Sequence, residues 1–250
     1  PYLNINDRPV FKNDMGIKSD AEFIPSDQAV DLRLDWTVSR RSIDYLGWGI
    51  CPGQSWVRTQ ENGGPYMTKK YMHFQVSQAT QNGSGFDNNR NFRMYRLAHI
   101  ILWKAECAAE EGDLEKAREL VNQIRERVKT STPVMGLCKT TKFDGSAVEV
   151  DWDKPAANYK TEPYPAGHDA FSSKEKALEA IRLEIRLEFA TEGQRFFDLR
   201  RWGIDVEVLN DYIARDRKFR NFMKDAVYTT KKRYWPIPQA QLDLQPGVLT

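Results

Sequence analysis

Cysteine is scarce in this 250-residue chain, with Cys51, Cys107 and Cys138 the only three. Odd in number and widely separated, they match neither a C-x-x-C metal pattern nor a disulfide framework, and they read as reduced or incidental thiols. Long apolar runs are missing too. Nothing approaches the ~20 residues a membrane-spanning helix needs, and no charged-then-apolar leader opens the chain. Because the first residue is Pro1 and not an initiator methionine, the missing leader says nothing about compartment. Charge of one sign is not in excess: Lys plus Arg number 37 against 35 Asp plus Glu, a net +2. That leaves no electrostatic footprint for nucleic acid or an anionic surface. Gly83-Ser84-Gly85 lacks the third glycine and the preceding strand of a nucleotide fingerprint, so it reads as a flexible turn. With no metal-ligand spacing either, no metal or other cofactor is expected.

What is present is enough apolar content, 40%, to build one large domain or two small ones. Aromatic residues are plentiful, with 7 Trp and 10 Tyr. Many sit in polar, glycine-rich surroundings where burial is not the default. Residues 1–92 are loop-rich, punctuated by Gly47-Trp48-Gly49, Pro52-Gly53 and Asn62-Gly63-Gly64-Pro65.

From Met94 the texture becomes helical. Met94, Leu97, Ala98, Ile101, Ala105, Ala108 and Ala109 fall at helical spacing. Glu111-Gly112-Asp113 supplies a turn, with Gly112 suited to a left-handed C-terminal position and Asp113 to the next N-cap. A second stripe follows in Ala117, Leu120, Val121, Ile124 and Val128, so residues 93–130 form an antiparallel helical hairpin resembling a tetratricopeptide unit. Residues 131–170 return to loop character. Ser172-Ser173-Lys174-Glu175 is then a capping box that opens a third helix to about Thr191. This helix is apolar around its circumference and is expected to be buried. Its ridges Arg182/Arg186 and Glu184/Glu188/Glu192 must then find partners, the nearest in sequence being Arg195, Asp198, Arg200 and Arg201. Gly193 breaks it before a short helix carrying Phe196, Phe197, Leu199 and Trp202. Tyr234-Trp235-Pro236-Ile237-Pro238-Gln239 must be extended, because each proline fixes its own φ and disfavours the helix at its predecessor.

Three of these stretches together resemble the SusD/RagB family: Leu32-Arg33-Leu34-Asp35-Trp36-Thr37-Val38 leading to Asp44-Tyr45-Leu46-Gly47-Trp48-Gly49; the helix opening Arg96-Leu97-Ala98-His99, where His99 replaces the usual acid; and Glu188 to Gly203, followed by Tyr234 to Gln239. The resemblance implies a mostly α fold (α+β, with long ordered loops), with residues 131–250 holding the signature helices and the extended tail. It also implies that this is the C-terminal half of a protein about twice as long. The role it implies is non-catalytic: capturing a glycan and delivering it to a SusC-like, TonB-dependent outer-membrane transporter. Such proteins are surface-exposed lipoproteins, whose lipid anchor here would lie outside the chain. A peptide-binding relative, or a structural helical adaptor for another protein, is the alternative.

Within that frame the Glu188–Gly203 block is expected to be an internal network and not a binding site. Tyr45, Trp48, Trp56, Arg58 and Tyr66 are the candidate ligand residues. The C–H face of a pyranose stacks on an indole or phenol, and Arg takes its hydroxyls. Asp31/Asp35 and Glu184/Glu188 are the carboxylate pairs a glycosidase would need, but that chemistry requires them ~5–10 Å apart across an open cleft. No catalytic residue is expected.

Overall fold

The structure, a computed structural model, describes residues 13–80 and 93–248; the Gly83-Ser84-Gly85 turn lies outside them. The described chain is mostly helical and divides after Gly193 into two compact units.

In the first unit, α1 (Arg33–Thr37) and α2 (Gln60–Gly63) are short pieces within long loops. The helical hairpin consists of α3 (Leu97–Glu110) and α4 (Leu114–Lys129). Between them Gly112 takes φ +86°, and the Asp113 side chain accepts from the Lys116 amide at 3.0 Å, capping α4 as its position predicts. All five expected apolar residues of α4 are buried. On α3 the stripe is rotated from the expectation: Ala98, Leu102, Ala105 and Ala109 face inward, while Met94 precedes the helix and Leu97 is 74% exposed. The reason is that α3 packs against two helices, α4 and α5 (Lys174–Glu188). The alanine row that admits both neighbours closely sets the inward face.

The N-cap of α5 is Ser173, one residue later than the Ser172–Glu175 box predicts, and it accepts from the Lys176 amide; Ser172 instead ends the short 3-10 turn before the helix. The helix ends at Glu188, short of Thr191, because Thr191 turns to φ +68° and Gly193 to +85°. The loop expected over 131–170 contains an unanticipated antiparallel hairpin of β1 (Met135–Cys138) and β2 (Val150–Pro155), paired Leu137 to Asp151 and Cys138 to Val150. Its register is irregular at Gly136, where φ is +102° and a Cβ would lie 2.8 Å from the Trp152 ring. Glycine lets that ring lie against the opposite strand.

Asp35 receives both ends of the Arg40 guanidinium, at 2.7 and 2.8 Å, and the Tyr159 hydroxyl at 2.6 Å. Trp36 and Tyr159 pack beside the buried group Ile43, Val134 and Ala156, and the Trp36 indole donates to the Thr132 carbonyl at 3.0 Å.

The second unit holds α6 (Arg195–Arg201), α7 (Asp205–Asp216) and α8 (Gln239–Leu244). Asp205, fully buried at the start of α7, is gripped by Arg233 and by the Tyr228 hydroxyl, tying α7 to the C-terminal tail. The Arg233 guanidinium holds the Asp205 carboxyl well below the usual carboxylate range. Tyr234–Pro238 is outside helix and strand as the prolines require, and Trp235 is 95% exposed, but the extended stretch ends one residue short of the expected Gln239, which opens α8 because Pro238 restricts only itself and its predecessor.

Candidate functional site

Residues 42–51 fold back on themselves. The Ser42 amide donates to the Cys51 carbonyl, and the Cys51 amide to that of Ile43. At the tip, the Tyr45 amide donates to the Gly49 carbonyl, and the Trp48 amide to that of Tyr45 at 3.0 Å. Both central residues of this tip sit at positive φ, Leu46 at +57° and Gly47 at +82°. Gly47 takes that geometry freely, whereas for Leu46 it is strained and persists only because the surroundings impose it. The imposing contacts are visible: the Asp44 carboxylate accepts from the Gly47 amide at 2.8 Å, and the Leu46 carbonyl accepts from the Gln75 amide at 2.9 Å.

This turn presents the candidate aromatics in different ways. Trp48 is exposed, its indole N–H donating to the His73 carbonyl at 3.1 Å and its ring meeting the His73 ring edge-on at 5.5 Å. Trp56, comparably exposed, meets the Tyr45 ring edge-on at 6.1 Å. Tyr45 itself is buried. Its hydroxyl donates to the Thr68 carbonyl at 2.7 Å and the Lys69 ammonium lies 5.9 Å from its ring, so it supports Trp56 from below. Arg58 is exposed, and Tyr66 is half-buried, its hydroxyl pushed up to about 12 by burial.

The surface also takes in residues that local pattern did not single out. Trp36 meets the exposed Phe74 edge-on at 6.3 Å, and Tyr71 is exposed three residues earlier. Tyr71, His73 and Phe74 carry no periodic signal, and only the approach of segment 67–75 to the turn reveals them.

Behind the loops lies a buried ionic network. The Arg33 guanidinium donates to Asp31 at 2.8 Å, Glu184 at 2.6 Å and Glu188 at 3.2 Å. Arg125 donates to Glu184 at 2.9 Å and Arg127 to Glu188 at 2.7 Å. Arg96 donates to Glu188 at 2.8 Å and to both oxygens of Glu192, at 2.8 and 3.0 Å. Lys70 reaches Glu192 at 2.7 Å. Glu184 and Glu188 find guanidinium partners 59 to 155 positions away in sequence. Asp198 instead pairs with Arg201 at 2.9 Å. A buried helix end can be neutralised by whichever segments cross it, and sequence proximity does not select them. Burial pushes the Glu188 carboxyl up, but Arg33, Arg96 and Arg127 outweigh it and hold the group below its ordinary value.

The two carboxylate pairs considered for bond cleavage are therefore occupied. Asp31, Asp35, Glu184 and Glu188 are all buried, each held by at least one guanidinium. Among the described residues no group of three or more His, Cys, Asp and Glu is placed to hold a metal ion, and no helix is long and apolar enough to cross a membrane.

Comparison with known proteins places these features in context. The model of the SusD family matches residues 11–249. SusD-like protein P25 of Formosa agariphila is 24% identical over 185 residues, covering 74% of this chain and 27% of that protein. A solved SusD superfamily protein from Bacteroides vulgatus superposes with a TM-score of 0.50 at 25% identity, over 86% of this chain and 38% of that one. The chain thus spans about a quarter of the one relative's length and under two fifths of the other's.

Proposed function

Because the chain belongs to the SusD family, a family of glycan binding in nutrient uptake, we propose that it is part of a non-catalytic protein that captures an oligo- or polysaccharide and delivers it to a TonB-dependent transporter. In that role the protein sits at the outer surface of the outer membrane, held by a lipid anchor outside this chain, with a SusC-like barrel as its partner. The observation that carries the reading is the pair of half-exposed indoles, Trp48 and Trp56. Each is braced edge-on by a neighbouring ring and mounted on a strained turn or beside a positive-φ glycine. Rigid indoles with an open face are what a pyranose stacks on. Arg58 and Tyr66 supply polar contacts beside them, Tyr45 the support beneath. The occupied carboxylate pairs favour binding over hydrolysis.

The test uses the full-length protein, screened against soluble glycans and then titrated calorimetrically with one that binds. Trp48→Ala and Trp56→Ala should each weaken binding at least tenfold, since truncating a well-packed aromatic contact costs on the order of 2 kcal/mol, with thermal melts near wild type. Normal affinity in both variants would place the platform elsewhere in the longer protein. Binding of peptides but no glycan would identify a peptide-binding relative, and binding of neither would favour the adaptor. Repurified protein should release no reducing sugar from the glycan it binds.

A further inference from the structure

We propose that Lys70 and Glu192 are positioning residues for the aromatic surface, fixing where Trp48 sits without touching the ligand. The inference uses the glycan-binding reading only in naming what that surface is for. Four hydrogen bonds tie the Trp48 turn to segment 67–75: Tyr45 hydroxyl to Thr68 carbonyl at 2.7 Å, Trp48 indole to His73 carbonyl at 3.1 Å, Gln75 amide to Leu46 carbonyl at 2.9 Å, and Lys69 ammonium to Asp44 carbonyl at 2.5 Å. The turn therefore goes where this segment goes. The first residues of the segment pair with residues 35–39, the Lys69 amide donating to the Thr37 carbonyl at 2.9 Å, the Ser39 amide to the Met67 carbonyl at 2.8 Å and the Lys69 ammonium to the Asp35 carbonyl at 2.8 Å. Beyond them the segment is moored by Lys70, whose ammonium donates to the Glu188 carbonyl at the end of α5 and to the Glu192 carboxylate just past it, both at 2.7 Å. Two consecutive lysines thus face opposite ways. Lys69 reaches into the aromatic turn and Lys70 into the ionic network.

The pair is built to act locally. Glu192 keeps both oxygens bonded to Arg96 when Lys70 is removed, so no buried charge is left uncompensated, and both partners of the Lys70 pair retain some solvent contact. Losing Lys70 should therefore loosen residues 70–75, which carry the His73 and Gln75 bonds to the turn, and leave the pairing with residues 35–39 and the helical packing intact.

Full-length protein labelled with 5-fluorotryptophan tests this without any glycan, so its failure is distinct from failure of the binding reading. The fluorine resonances of Trp48 and Trp152 are assigned by their Phe variants, Trp152 on β2 serving as the internal control. Lys70→Met should displace or broaden the Trp48 resonance and spare that of Trp152, and Lys70→Arg should restore it. An unmoved Trp48 in folded Lys70→Met, or equal disturbance of Trp48 and Trp152, overturns the proposal. If Lys70→Met does not fold, Glu192→Gln decides by the same comparison. If neither folds, the proposal also fails, because the pair is then a keystone of the whole unit.

Discussion

At the scale of single residues, the site depends on positions where no other side chain fits. Gly53 precedes the turn carrying Trp56, with φ +85°; a Cβ there would lie 2.4 Å from the Asp14 carboxylate and 3.1 Å from the Arg41 side chain, both buried. Gly53→Ala combines left-handed strain with overpacking and should cost about 2–5 kcal/mol in urea melts. Wild-type stability would mean the Asp14 side chain swings away freely. Glu188 makes a different prediction. Its folded carboxyl is held below the ordinary 4.5. The stability it contributes is therefore complete above that value and is lost as pH falls through the lower folded one. Stability measured by denaturant melts from pH 6 down to 3 should fall in wild type below about 4.5 and fall less steeply in Glu188→Gln. Parallel curves would show that other carboxylates dominate acid unfolding.

At the scale of elements, what could be read in advance was what is local. The α4 stripe of Ala117, Leu120, Val121, Ile124 and Val128 and its Asp113 cap need only neighbouring residues, and all appear as read. The stripe of α3 was rotated because a second packing partner, α5, is invisible in its own spacing. The β1–β2 hairpin was missed because β1 is four residues interrupted by Gly136, and β2, VDWDKP, buries too little to alternate clearly. Tyr234–Pro238 was legible because proline acts on its own backbone. In the second unit Asp205 is the charged tie between α7 and the tail, and removing it should loosen the tail. Hydrogen exchange of Asp205→Ala is expected to show lost protection at the start of α7 and around Tyr228–Arg233. Unchanged protection there would mean the Asn210 side chain, which bonds the amide and carbonyl of Tyr228, holds the tail alone.

At the scale of the whole molecule, the candidate site was legible in part, for the same reason. Trp48 and Trp56 stood out because glycines flank or approach them in loops, whereas Trp36, Tyr71, His73 and Phe74 join the surface only through contacts between distant segments. The ionic network is the extreme case, with Arg33 bonding Glu188 across 155 positions of chain. That span has a kinetic meaning. Closing so long a loop costs conformational entropy before any charge is neutralised, and contacts of large sequence separation slow folding. Charges that meet late stabilise the native state more than the transition state, and so act mainly on the rate of escape. Glu188→Gln, which leaves buried guanidinium groups short of a partner, should raise the unfolding rate about a hundredfold if it costs ~3 kcal/mol, with refolding nearly unchanged in stopped-flow measurements. Refolding slowed by the same factor would mean the network is already assembled at the barrier. Otherwise the buried acids of α5 set the lifetime of the folded protein, and with it the time available before proteolysis.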